Sequence, residues 1–236
     1  MLKKVLKIIF VSLSALTVLA IVLFIIYDEP HPESKKNSGT AADAMARQIQ
    51  TALNQEAFEK SRYLEWSFQN GNNTYLWDRY RQIVRIQWDD ITVNLDLKNS
   101  EHSEVIENNQ IITGSKKIKI VNTASKYYNN DSFWLVAPFK LFDKGTEKSL
   151  VELKDGSHGL LVTYTSGGDT PGDSYLWKIK PNGFPESFKM WVSIIPIGGL
   201  EATWEGWQKM ESSTYLPTLH KIGPITLSMG EVRAYN

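Results

Sequence analysis

From Arg62 onward the apolar side chains fall mostly at every second position, and that period limits the chain to folds built mainly from half-buried β-strands. Leu64, Trp66 and Phe68 alternate with polar neighbours, and the same spacing returns in Val84-Ile86-Trp88 and Ile91-Val93-Leu95-Leu97. It returns again in Leu160-Val162-Tyr164, Tyr175-Trp177-Ile179, Phe188-Met190-Val192-Ile194, Leu200-Ala202-Trp204 and Ile225-Leu227-Met229. Turn-forming residues separate several of these runs: Asn70-Gly71-Asn72-Asn73, Asp89-Asp90, Gly167-Gly168-Asp169, Pro181-Asn182-Gly183 and Gly198-Gly199. Short connections of this kind predict an antiparallel meander, because parallel neighbours need a crossover of a dozen or more residues.

Two stretches break the alternation. Ala41, Met45, Ile49 and Leu53 recur at helical spacing, with Arg47, Gln48 and Gln50 on the other side. Over residues 115–141, Ile118, Val121, Ser125 and Tyr128 stand among Lys116, Lys117, Lys119 and Lys126, and Pro138 then turns the chain out of helical geometry. The predicted class is α+β: a long antiparallel sheet with helices covering one face.

Ahead of this domain, residues 8–26 carry no charge, and at 1.5 Å per residue nineteen residues cross a hydrocarbon core about 30 Å thick. A cleavable signal peptide has a shorter apolar core and a small-x-small exit, whereas this run continues past Val18-Leu19-Ala20 to Ile26. An uncleaved transmembrane helix over residues 6–27 is therefore expected. Lys3, Lys4 and Lys7 precede it and Asp28, Glu29 and Glu33 follow it, which keeps the N-terminus cytoplasmic and exports the rest. The expected division is a stub and anchor at 1–27, a polar tether at 28–39 and one sheet domain at 40–236. The chain has no cysteine, so neither a disulfide nor a lipidated cysteine is available to it.

Catalytic signatures are missing. His31 falls in the tether, and His102, His158 and His220 are isolated, with no H-x-x-x-H pair, no G-x-S-x-G elbow and no Walker loop. No metal, no cofactor and no enzymatic activity are expected. With 26 basic and 26 acidic residues the chain lacks the basic surplus of a nucleic-acid binder. The loop over 165–173 reads as a hairpin connection more readily than as an anion nest. The charges of Trp77-Asp78-Arg79-Tyr80-Arg81, Arg85 and Asp89 read as opposite charges facing across a hairpin.

The aromatic content is more informative: eight Trp, ten Tyr and nine Phe, with Trp66, Trp88, Trp177 and Trp204 on the apolar face of their strands. One reading is an ordinary core filled by large rings. The other is a wide apolar face that two helices do not fully cover, leaving a cavity for an acyl chain. A buried indole N–H needs an acceptor, which suits a polar-rimmed pocket.

The order of elements, the stretch Trp77-Asp78-Arg79 and the later stretch DSFWLVAPFKL over residues 131–141 resemble the LolA/LolB-like superfamily of bacterial envelope proteins, closest to its uncharacterised members. The likeness covers residues 40–236. It implies a strongly curved antiparallel half-barrel whose concave face is covered by helices and binds lipid or lipoprotein acyl chains. Together with the anchor expected from the apolar run, it places the domain in the periplasm, held at the bacterial inner membrane by a single span. Carriers of that superfamily are soluble or lipid-anchored, so a freely diffusing shuttle does not follow for a chain with a spanning helix.

The expected function is non-enzymatic binding of an apolar ligand by a membrane-anchored domain. Trp66, Trp88, Trp177, Phe188, Met190 and Trp204 are the expected lining, with Phe133, Trp134 and Phe139 as a lid. The alternative is an envelope scaffold or interaction module whose aromatic face is only core. A hydrolase without a recognisable motif is a third reading, and it would require clustered Asp and His.

Overall fold

The computed structural model describes residues 28–34, 39–68, 70–167 and 170–236. The expected anchor at 6–27 lies outside the described residues, and among those residues no helix is long and apolar enough to cross a membrane. The described part of the tether is bonded to the domain, with Glu29 N donating to Gly198 O at 3.0 Å.

Helix α1, Gly39–Ala52, buries Ala42, Ala46 and Ile49, and Leu53 continues the stripe. The sequence spacing begins the stripe at Ala41, which is exposed; the buried face is rotated to start one residue later. Alanines on that face let the helix lie close to the turn after Lys180. At Gly183, where φ is +87°, a Cβ would stand 2.9 Å from Ala52 Cβ and 3.0 Å from Gln48 O. Asn54, at φ 59°, ends the helix and caps the short α2, Gln55–Lys60, by accepting from Ala57 N.

Strands β1 (Tyr63–Phe68), β2 (Asn73–Asp78), β3 (Ile83–Trp88), β4 (Ile91–Asp96), β5 (Glu104–Glu107) and β6 (Gln110–Ile111) follow one another by short turns. With β16 (Arg233–Tyr235) they form a seven-stranded antiparallel sheet in the order β16-β1-β2-β3-β4-β5-β6. A second sheet of β7 (Thr146–Glu152), β8 (His158–Tyr164), β9 (Ser174–Ile179), β10 (Pro185–Trp191) and β11 (Leu200–Thr203) runs in the order β11-β10-β9-β8-β7. Two small hairpins complete it, β12 (Gln208–Lys209) with β13 (Tyr215–Leu216) and β14 (Leu219–Ile222) with β15 (Ile225–Ser228).

The alternation predicts one long sheet, and the chain instead makes two. The physical reason is helix α3, Gly114–Val136, whose 23 residues carry the chain from β6 to β7. The C-terminal region joins the sheets: Glu205 N donates to Leu219 O at 2.9 Å, and Ser67 N on β1 donates to Met229 O at 2.9 Å. Two predicted inward positions point out instead. Ile194 lies beyond the end of β10, and Ile225 sits at the turn end of the β14-β15 hairpin; both are exposed.

Helix α3 buries Val121, Ala124, Tyr128, Asp131, Ser132, Leu135 and Val136, and it exits through a 3-10 turn, Ala137–Phe139, built on Pro138. One apolar cluster runs through both sheets and all three helices. Both stretches on which the resemblance rests contribute side chains to it, and Phe58 links them. Trp77 packs edge-on against Tyr128 with centroids 5.5 Å apart. Asp78 pairs with Arg62 at 2.9 Å and accepts from Tyr80 N and Arg81 N, which closes the turn after β2. Arg79 has a different task from the expected cross-hairpin pairing: its guanidinium donates to Phe58 O and to Ser61 O at the end of α2 and lies 4.2 Å over the Phe58 ring. Phe58 in turn stacks on Phe139 at 3.9 Å.

Arg79→Ala removes charged hydrogen bonds to a helix end together with the packing of its stem, a loss of about 2–3 kcal/mol. Urea unfolding checks it; a change below about 0.5 kcal/mol, the range of ordinary surface substitutions, contradicts this role for Arg79.

Candidate functional site

The long helix meets the seven-stranded sheet through one buried carboxyl. Asp131 sits on the inward stripe of α3, where its carboxylate accepts from Asn73 Nδ2 at 3.0 Å, from the Tyr75 hydroxyl, and from Asn130 Nδ2 at 2.8 Å. Burial pushes the Asp131 pKa up, and the three donors pull it back. Burial, and then the neighbouring carboxyl, push the Tyr75 hydroxyl far up, so it stays a proton donor. Asn73 and Tyr75 both lie on β2 with their side chains on its buried face, the period-two rule placing them together.

Around this contact the rings form two groups. On the seven-stranded sheet Trp66 stacks on Tyr75 at 4.5 Å, nearly parallel, and Trp88 meets Tyr127 of α3 edge-on at 5.4 Å. On the five-stranded sheet Phe188 is the hub. Its ring lies 5.4 Å from Trp204, 6.1 Å from Trp177, 5.7 Å from Tyr175, 5.7 Å from Trp134 and 6.0 Å from Phe133. Trp134 also reaches Phe68 of β1 at 6.4 Å, so it spans the two sheets. Met190 is buried in the same cluster.

The structure thus brings eight of the nine expected residues to the space between α3 and the sheets. Phe139 stands apart, stacked on Phe58 at the junction with α2. Tyr75, Tyr127, Tyr175, Asp131 and His220 join the site without having been expected there. For Asp131 the signal was legible: an acidic residue three positions after Tyr128 falls on the apolar stripe of α3.

The indole N–H groups of Trp66, Trp77, Trp177 and Trp204 are buried without an acceptor among the described residues. Such donors are rare in folded proteins. His220 is fully buried between Trp134 and Trp204, and its Nδ1 lies 2.8 Å from Thr203 O. A carbonyl only accepts, so Nδ1 carries the proton. Burial lowers the His220 pKa to about 4, and the ring is neutral at pH 7.

The other features weighed in the sequence are structural. Among the described residues no group of three His, Asp or Glu could hold a metal ion. In the loop over 165–173, of which residues 168–169 lie outside the described set, Asp173 accepts from Thr170 Oγ1 at 2.5 Å and from Ser193 N at 2.9 Å. An anion would meet that carboxylate. Clefts of about 330 and 290 Å³ open elsewhere, the first beside Asp28, His31 and Trp191, the second beside Asn54, Lys60 and Ser212. Neither is lined by the aromatic group.

No family model matches the chain, and no curated protein matches it. Among solved structures it is similar to a DUF1329 family protein from Desulfovibrio piger, with 10% identity and a TM-score of 0.43 over 84% of this chain and 94% of that one.

His220 gives the fold a dependence on pH. Its folded pKa lies below its ordinary value of 6.5, so the unfolded chain binds the proton more readily. Stability is unaffected above about pH 6.5 and falls as pH drops toward about 4, with about 2 kcal/mol lost by pH 5. Denaturant midpoints at the two ends of that window check it. His220→Asn, compared with its own value at neutral pH, should lose most of the drop; an equal drop in the variant contradicts it.

Proposed function

We propose that this chain is a membrane-anchored, non-enzymatic envelope protein whose domain binds an apolar ligand, a lipid or acyl chain, between α3 and the aromatic face. In this reading the two sheets form a curved half-barrel of the LolA/LolB-like kind, α3 covers its concave side, and the domain lies in the periplasm on a single N-terminal span. The observation that carries it is the set of four buried indole donors without acceptors beneath one helix. An acyl chain offers carbon surface to the rings, at about 0.8 kcal/mol per buried CH₂, and its ester or carboxyl oxygens offer the missing acceptors. Phe133 and Trp134 project from the C-terminal half of α3 into the Phe188 group, so a shift of that half would uncover the rings.

A second reading is favoured by a specific observation. Ring contacts already run from Phe188 to both α3 and the sheet, and the two clefts of about 330 and 290 Å³ lie elsewhere. A filled face of that kind suits an envelope interaction module with no ligand cavity.

Photoreactive fatty acid, crosslinked to the purified protein and mapped by peptide mass spectrometry, separates the two. The binding reading predicts adducts on the peptides holding Phe133-Trp134 and Phe188, accompanied by lipid recovered from the protein by solvent extraction. A folded protein that yields neither overturns it.

A further inference from the structure

The segment that follows the apolar run is built into the domain. Asp28 Oδ1 accepts from Gly198 N at 2.8 Å, Glu29 N donates to Gly198 O at 3.0 Å, and Trp191 Nε1 donates to Glu29 O at 2.8 Å. Lys189 Nζ holds both carboxylate oxygens of Glu29, at 2.6 and 2.7 Å, and the His31 ring meets Trp191 edge-on at 5.7 Å. The two glycines make room for this. A Cβ at Gly198 would stand 2.5 Å from Glu29 O, and one at Gly199 would stand 2.7 Å from Glu29 Cβ.

Next to this clasp lies a short apolar loop, Ile194-Ile195-Pro196-Ile197. Ser193 N is fixed by Asp173, Ile195 packs inward against the core, and Ile194 is left 70% exposed. Ile26, the last residue of the apolar run, is two residues from Asp28, at most about 7 Å of chain. Ile194 is four residues from Gly198, at most about 14 Å. The loop is therefore at most about 21 Å of chain and one hydrogen bond from the end of the apolar run, a range that takes in a headgroup layer about 5–8 Å thick.

We propose that the loop over residues 193–197 is a membrane-contact site: the clasp of residues 28–31 on Gly198 turns this end of the five-stranded sheet toward the bilayer, and Ile194 enters the headgroup layer. The occupant is the lipid surface, because the exposed isoleucine is four residues from Gly198, to which Asp28 and Glu29, the residues that follow the apolar run in sequence, are bonded. This rests on the anchor reading under Proposed function and adds an orientation to it. The domain then works at a fixed angle to the membrane.

The chain has no cysteine, so a single introduced thiol can be labelled cleanly. The full chain carrying Ile194→Cys with an environment-sensitive fluorophore is reconstituted in phosphatidylethanolamine and phosphatidylglycerol vesicles containing brominated acyl chains. Ile111→Cys, at a residue 79% exposed on the edge of the other sheet, is the control. The label at 194 should be blue-shifted and quenched about threefold more than the label at 111, as expected for interfacial burial. Adding Gly198→Ala should release the clasp and bring quenching at 194 close to that of the control. Equal quenching at both sites in a chain that alkaline carbonate leaves in the vesicles overturns the membrane-contact site while sparing the anchor. Unchanged quenching at 194 in Gly198→Ala overturns the part given to the clasp. Release of the chain by carbonate overturns the anchor reading and this inference with it.

Discussion

The contact of Asp131 with Asn73 and Tyr75 fixes the relation between the long helix and the sheets. A carboxyl on the inward stripe of a helix is destabilising unless donors meet it, and β2 supplies two of them from alternate positions of one strand face. That requirement sets both the rotation of α3 and its height above the sheet. Tyr127 and Tyr128 then face Trp88 and Trp77, and nearly two turns later Phe133 and Trp134 reach the Phe188 group. A slip of one residue would leave a charge among rings and two strand donors without an acceptor. The polar contact contributes specificity where the ring packing alone would tolerate several registers.

The second half of the helix exit is held from the other side. Pro138 does not take Ala137 out of helical geometry as its sequence position predicts: the α-helix ends at Val136, Ala137 keeps helical angles, and Pro138 sits inside the 3-10 turn that follows, after which Phe139 stacks on Phe58 and Arg79 grips the end of α2 beneath the same ring. Trp77-Asp78-Arg79 and the stretch over 131–141 are thereby linked through Phe58, whose ring lies against Arg79 and stacks on Phe139. The proposed functions rest on the buried face under α3 and on the clasped, apolar corner beside Gly198.

Much of this was legible from the alternation of side chains. β1, β3, β4, β9 and β10 lie where the period places them, and Pro138 marks the end of α3. The division into two sheets was not legible, because the same period-two pattern continues on both sides of α3 and says nothing about which strand edges pair. The phase of α1 was misread by one residue, since Ala41 and Ala42 are both small and apolar and only packing chooses between them. Ile194 looked like a further inward position of β10, but the strand ends at Trp191, and a pattern carries no information about where hydrogen bonding stops. Among the site residues the ring positions on strands were readable, whereas the convergence of Phe133 and Trp134 on Phe188, and of His220 on Trp134 and Trp204, depends on a helix and a hairpin folding back over a distant strand. Phe139 was grouped with its sequence neighbours, and the Pro138 turn sends it elsewhere.

The central claim is that Asp131 pins the C-terminal half of α3 over the aromatic face, and amide hydrogen exchange read by mass spectrometry tests it most directly. In Asp131→Leu, which leaves Asn73 and Tyr75 without their acceptor, amides of α3 near residues 127–136 should exchange about tenfold faster or more, while those of α1 keep their protection. Exchange unchanged over α3, or raised equally over α1 and both sheets, would contradict the account.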